Sequence, residues 1–161
     1  MPEKPGNLVQ IDTIHDGPHT SRLYIYTLID VCSRWAFANP VNRLSAHESV
    51  RFVSEARSTA PFEFKTMQSD HGLEFQKWFS KQMMFHGLAH RHSRIRTPND
   101  NAHCERFNRT IQDECLNRVP RSLKSYQKEI PEYLNFYNTK RPHMGLDMKS
   151  PKDIIKVVPS Y

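Results

Sequence analysis

The sequence is poor in the features that define secreted, disulfide-bonded or membrane-spanning proteins. Its three cysteines, Cys32, Cys104 and Cys115, are odd in number, far apart and never in a Cys-x-x-Cys pair. A disulfide framework and a zinc ribbon are therefore both unsupported, and a reducing cytoplasm is the expected compartment. No apolar run approaches membrane-spanning length, and the N-terminus lacks the apolar segment of a signal peptide, so no membrane partner is expected.

Acidic residues are in the minority. The 161 residues include 23 Lys and Arg against 17 Asp and Glu, a formal net charge of +6, and the two signs are mixed rather than blocked. A basic surface of this kind favours a polyanionic partner, although net charge does not determine the fold. The length corresponds to one domain with a substantial core.

Hydrophobic periodicity predicts three strands, a helix, a strand, a helix, a strand and two helices, in that order. The predicted strands cover residues 8–14, 23–29, 35–38, 64–69 and 88–92. Helices are predicted after the capping box Ser45–Glu48, from Glu74, from an N-cap at Asn99 or Asp100, and over 123–137, with a short last helix near 150–157. This order predicts an α/β sheet whose first half is antiparallel and whose later strands are parallel.

Three acidic residues lie within or at the end of predicted apolar elements. Asp12 interrupts an apolar strand, Asp70 ends a strand, and Glu105 lies early on a helix beside its buried stripe, with 57 and 34 residues between successive acids. Taken singly, Asp12 can be a satisfied turn-capping residue, and Glu105 can be an exposed partner of Arg109. Asp30, at a hairpin turn, is interpreted as structural.

Taken together, the three acids predict a metal site. Strand ends and helix starts converge on one edge of an α/β sheet, and clustered carboxylates repel one another unless divalent cations join them. Oxygen ligands select Mg²⁺, or Mn²⁺ as a substitute. Two such ions catalyse in-line displacement at phosphorus. The neighbouring basic loop offers candidate phosphate contacts at Arg94, Arg96, Arg106 and Arg109.

The segments around these acids resemble a known family. Gln-Ile-Asp at Asp12, Gln-Ser-Asp-His-Gly-Leu-Glu-Phe at Asp70 and Asn-Asp-Asn-Ala-His-Cys-Glu-Arg-Phe-Asn-Arg at Glu105 look like the acid triad of the DDE integrase/transposase superfamily. Two further segments, at 30–34 and from 137 to 151, are similar to bacterial insertion-sequence transposases; retroviral integrase cores share the acids but are less like the second segment. The resemblance extends from about residue 9 to 155.

The resemblance implies a ribonuclease H-like fold, a five-stranded mixed sheet flanked by helices. It also implies two Mg²⁺ ions held by Asp12, Asp70 and Glu105, DNA 3′-end cleavage and strand transfer at transposon ends, a DNA target duplex, and a homo-oligomer that is at least a dimer. The expected division is a disordered lead-in over 1–6, a catalytic core over 7–138 and a C-terminal tail over 139–161. Only about eight residues precede the first strand, so we expect a catalytic core without the end-binding module usual in the family.

Two other functions remain open. One is a nuclease of the same fold, such as a ribonuclease H or junction resolvase, that cuts without joining. The other is a catalytically silent DNA-binding or dimerisation module. The intact acids argue against the second, and joining of a cleaved end to another duplex distinguishes the first.

Overall fold

The computed structural model describes residues 3–157, apart from the side chain of Pro98, and the predicted order of elements is confirmed there. The strands are β1 Val9–Asp16, β2 Leu23–Asp30, β3 Ala36–Val41, β4 Thr66–Ser69 and β5 Ala89–His92. The helices are α1 Ala46–Thr59, α2 Lys77–Phe85, α3 Ala102–Glu114, α4 Leu123–Thr139 and α5 Pro151–Val157.

The five strands form one mixed sheet in the order β3-β2-β1-β4-β5. The hairpins β1–β2 and β2–β3 are antiparallel, whereas β4 lies parallel to both β1 and β5. The predicted change from antiparallel to parallel pairing is therefore confirmed. Because Gln10 of β1 pairs in parallel with Gln68 of β4, Asp12 and Asp70, each two residues later, fall at corresponding positions of neighbouring chain segments.

Both faces of the sheet are covered by helices. One face packs Ile11, Tyr26 and Leu28 with residues of α1 and α2, and the other packs Ile14 and Ile25 with the stripes of α3 and α4. Since side chains alternate along a strand, Asp12 faces the same side as Ile14. The alternation of β1 therefore directs Asp12 toward α3.

The start of α3 differs from the prediction. Asn99 and Asp100 do not cap the helix but lie in a 3₁₀ turn, Pro98–Asn101, and α3 begins at Ala102 without a side-chain cap. The Asp100 carboxylate accepts hydrogen bonds from the backbone N–H and guanidinium of Arg94 instead. The Asp100 carboxylate therefore binds Arg94 of the preceding loop and does not cap the helix.

The N-terminal segment is also packed where a disordered lead-in over 1–6 was predicted. Pro5 and Gly6 are buried, and Gly6 N–H donates to Asp30 Oδ1 at 2.8 Å. The Gly6 carbonyl accepts from Lys65 N–H at 2.8 Å. Met1 and Pro2 lie outside the described residues. The other Asp30 oxygen accepts from the backbone and hydroxyl of Ser33, so this buried acid has the structural role expected of it.

The tail packs against the core through α5, which contacts α4. His143 and Lys149 form an isolated antiparallel bridge, and the side chains of Leu146 and Ser150 are buried. No helix within residues 3–157 combines the length and apolar character needed to cross a bilayer.

Candidate active site

Asp12 lies in the middle of β1, partly buried beneath α3. Its Oδ2 accepts a hydrogen bond from Asn108 Nδ2 at 3.0 Å, and Asn108 Oδ1 accepts from the Thr27 hydroxyl at 2.6 Å. Burial, together with the negative charges of Asp70 and Glu105, raises the pKa of Asp12 to about 6 against the opposing hydrogen bonds from Thr13 and Asn108. The three acids therefore share one electrostatic environment.

Asp70 follows the last residue of β4, and a fourth acid stands close to it. Asp70 Oδ1 accepts from Gly72 N–H at 2.8 Å, while Glu74 Oε1 accepts from the Thr13 hydroxyl at 3.2 Å. A Cβ at position 72 would approach both Glu74 oxygens to 2.9 Å and Asp70 Oδ1 to 3.0 Å. A side chain at position 72 would therefore displace the Glu74 carboxylate from its place beside Asp70. The sequence indicated Glu74 only as a helix start, and α2 in fact begins at Lys77.

Glu105 lies in the first turn of α3, exposed to solvent. Its alternative role, an ion pair with Arg109, does not occur among the ion pairs of residues 3–157. A carboxylate in the first turn of a helix is stabilised by the helix dipole. Glu105 therefore remains an available acid beside Asp12.

Two buried glutamines hold the loop before α3 against the strands. Gln10 and Gln68 are register partners in β1 and β4, and both donate side-chain N–H groups to the Asp100 carbonyl. Gln10 Oε1 also accepts from Cys104 N–H at 3.0 Å, one residue before Glu105. Each glutamine stands two residues before an acid, on the same face of its strand. Sequence reasoning missed these residues, although the repeated Gln-x-Asp pattern was a usable signal.

The donor chemistry of the acids fits a hard divalent cation. Asp12, Asp70 and Glu105 offer only oxygen atoms, and Asp70 shares its surroundings with Glu74. No cationic side chain forms an ion pair with any of them in the described part of the chain. Among these residues, however, no three His, Cys, Asp or Glu side chains already stand as a closed metal-ligating group. The site therefore offers oxygen ligands whose negative charge is not paired with a described cationic side chain, but the ligands are not already arranged around a metal position.

The four candidate DNA-contact arginines differ in their surroundings. Arg94 pairs with Asp100, with 2.8 Å between Nη2 and Oδ1, although its side chain is 77% exposed. Arg96, Arg106 and Arg109 are exposed, and none forms an ion pair with another described residue. Arg106 lines a cavity on α3 that is described below.

Comparison with known protein families gives two overlapping matches, both described as integrase core domain. One family model matches residues 2–98 and the other residues 86–151. Together they include all three acids.

Two curated proteins are similar in sequence. The transposase for insertion sequence element IS904 of Lactococcus lactis is 31% identical over 139 residues, which cover 83% of this chain and 55% of the relative. The putative integrase ORF3 of Spiroplasma virus SpV1-C74 is 26% identical over 175 residues, covering 89% and 46%. The chain thus spans about half the length of the curated relatives that it matches.

Solved structures similar to this one include integrase catalytic cores. The HTLV-2 integrase catalytic core domain, solved in complex with magnesium, has a TM-score of 0.73 at 16% identity, covering 94% of this chain and 97% of that one. The BIV integrase catalytic core domain has the same TM-score and identity, covering 94% and 95%. A chain of the simian T-cell lymphotropic virus intasome reaches 0.78 at 14% identity, covering 99% and 59%. These likenesses confirm the predicted ribonuclease H-like fold.

Proposed function

The chain belongs to the integrase core domain family, and from that premise we propose that it is the catalytic core of a transposase or integrase. It cleaves DNA 3′ ends and transfers them to a target duplex. The observation that carries the proposal is the shared electrostatic environment of Asp12, Asp70 and Glu105, three acids from distant parts of the chain. A purely structural role would leave no reason for three carboxylates without cationic partners to stand together.

Asp12, Asp70 and Glu105 are the proposed ligands of two Mg²⁺ ions, for which Mn²⁺ substitutes. Bound there, such ions would supply activation of the attacking oxygen and stabilisation of the leaving one. Asp12 ligates only when ionised, and its pKa of about 6 leaves it mostly ionised at pH 7 and above. The Asn108 amide fixes the orientation of the Asp12 carboxylate, and Gln10 fixes the start of α3 that carries Glu105.

DNA is the proposed substrate at both the cleaved end and the target. The net charge of +6 supplies long-range attraction, and the exposed guanidinium groups of Arg96, Arg106 and Arg109 supply phosphate contacts. Arg94 contributes less because Asp100 already neutralises it. Solved HTLV-2 integrase cores include trimeric and dimeric forms, and we propose at least a dimer for this chain.

Joining of a pre-cut DNA end to a second duplex tests the proposal. The full chain, alone or fused to a DNA-binding module, is incubated with a labelled pre-cut end, a target duplex and Mg²⁺ or Mn²⁺. We expect joined product from the wild type and none from Asp12→Asn, with Lys128→Ala as a charge-changing control on the exposed face of α4. Cutting without joining would instead identify a ribonuclease H-like nuclease. Absence of both reactions and of metal binding would identify a non-catalytic DNA-binding module.

A further inference from the structure

The two segments that resemble insertion-sequence transposases, 30–34 and 137–151, meet in space around a cavity away from the acids. The cavity has a volume of about 230 Å³ and lies between the turn after β2, one flank of α3 and the tail. Its lining includes Arg34, His103, Arg106, Arg141, His143 and Gly145. No acidic residue of the described part of the chain lines it.

Among the described residues, the three lining arginines differ in whether they form an ion pair. Arg141 is bound by Glu114, with 2.6 Å between Nη2 and Oε2. Neither Arg34 nor Arg106 forms an ion pair with another described residue. Burial lowers the pKa of the Arg34 guanidinium; the charge of Arg106 acts in the same direction, whereas Tyr137 and Asp30 act in the opposite one. An anion in this partly desolvated space would stabilise the charged form of both lining guanidinium groups.

Arg34 also holds an uncommon backbone conformation. Its φ of 66° lies in the left-handed region, which glycine occupies without steric cost and arginine does not. One Nη1 N–H donates to the Val31 carbonyl, which directs the guanidinium across the turn. The backbone conformation of this turn would favour glycine. Arginine at this position instead supplies a side chain that binds the Val31 carbonyl and lines the cavity.

The cavity and the acids lie on opposite flanks of α3. At 100° per residue, His103, Arg106 and Thr110 fall on one side of the buried stripe, and Glu105 and Asn108 on the other. Because Arg106 follows Glu105 directly, the two sites begin at the same turn of the helix. A DNA strand that crosses the start of α3 would reach both the cavity and the acids.

We propose that this cavity binds a backbone phosphate of the DNA strand engaged by the acids, a proposal that rests on the proposed function. The guanidinium groups of Arg34 and Arg106 donate to the phosphate oxygens, as arginine forks do to phosphates elsewhere. The contact holds the strand in position over Glu105.

Substitution at Gly145 tests the cavity without removing a cation. A Cβ there would lie 3.9 Å from Arg34 Nη2, an ordinary contact, and the position is exposed. Gly145→Glu places a carboxylate within reach of Arg34, whereas Gly145→Gln has the same size without the charge. In EDTA, where no chemistry occurs, we expect Gly145→Glu to bind a labelled duplex several-fold more weakly than Gly145→Gln. Equal affinities for the two variants would overturn the proposal.

Salt dependence supplies the second readout. One lost phosphate contact lowers the slope of log K against log salt by about 0.9. Raising the salt from 50 to 200 mM weakens DNA binding in both proteins, and the fold-loss of affinity should be about 3.5 times smaller in Arg106→Ala than in wild type. Lys128→Ala, which removes an equal charge elsewhere, should keep the wild-type slope. An unchanged slope in Arg106→Ala contradicts the proposal, as does cavity binding of free pyrophosphate that leaves DNA affinity unaltered. Because these titrations need no catalysis, their outcome is separate from that of the joining assay.

Discussion

Replacement of Asp12 by asparagine should stabilise the metal-free protein at neutral pH and leave its stability little changed in acid. In the folded chain the Asp12 carboxyl holds its proton more tightly than in the unfolded chain, because burial and the charges of Asp70 and Glu105 oppose ionisation. The folded state therefore binds more protons than the unfolded state between about pH 4 and 6, and this group's contribution to stability falls as the pH rises through that window.

The size of the effect follows from the pKa. A rise from the ordinary 3.8 to about 6, at about 1.36 kcal/mol per pKa unit, corresponds to roughly 3 kcal/mol of destabilisation at pH 7. At pH 4 the same linkage gives only about 0.5 kcal/mol. Asparagine keeps an oxygen that can accept the hydrogen bond from Asn108 and removes the charge. We expect a gain of about 2 to 3 kcal/mol in the free energy of unfolding at pH 7.

Urea unfolding in EDTA at pH 4, 5, 6 and 7 measures this gain, with Asp113→Asn as the control because Asp113 is an exposed aspartate on α3 outside the site. The gain of Asp12→Asn over wild type should grow from pH 4 to 7, while that of the control should stay near zero. A gain that does not depend on pH, or a loss of stability at pH 7, would refute a shared site of mutually repelling acids.

Three further outcomes are expected. Mg²⁺ at about 100 times its dissociation constant should stabilise the wild type by about 2.7 kcal/mol and Asp12→Asn hardly at all; identical thermal shifts in the two proteins would exclude a site at Asp12. Glu105→Gln should keep the free energy of unfolding within about 0.5 kcal/mol of wild type yet lower joining of a pre-cut end by orders of magnitude, whereas Arg109→Ala should weaken DNA binding and retain metal binding. Small losses of stability with near-normal joining in both variants would mean that the two residues merely pair. Transposon-end and random duplexes should bind with similar affinity and a steep salt dependence, and titrations that show strong selectivity for ends would contradict this.

Local patterns in the sequence were sufficient to predict the framework of the fold. The apolar runs in 8–14 and 23–29 and the stripe of Cys104, Phe107 and Ile111 depend on residues a few positions apart; the two runs form strands and the stripe is buried, as predicted. Asp12, Asp70 and Glu105 were candidates because their residue types were unusual in, or at the ends of, apolar elements. Parallel pairing of β1 with β4 then placed the first two at corresponding positions of neighbouring chain segments.

The supporting residues depend on tertiary contacts that local patterns do not contain. Asp100 suits an N-cap by type, but Arg94 binds it once the loop folds back. The Glu74 carboxylate lies near Asp70 across Gly72, a proximity that no periodicity indicates. The cavity beside Arg34 exists only after residues 137–151 pack on α3.

The most direct measurement of the central claim is anomalous diffraction from crystals soaked in Mn²⁺. The account predicts Mn²⁺ peaks bounded by the carboxylates of Asp12, Asp70 and Glu105 in the wild type, and their loss in Asp12→Asn. Absence of any peak between these three carboxylates at millimolar Mn²⁺, in a crystal whose solvent channels reach the site, would contradict it.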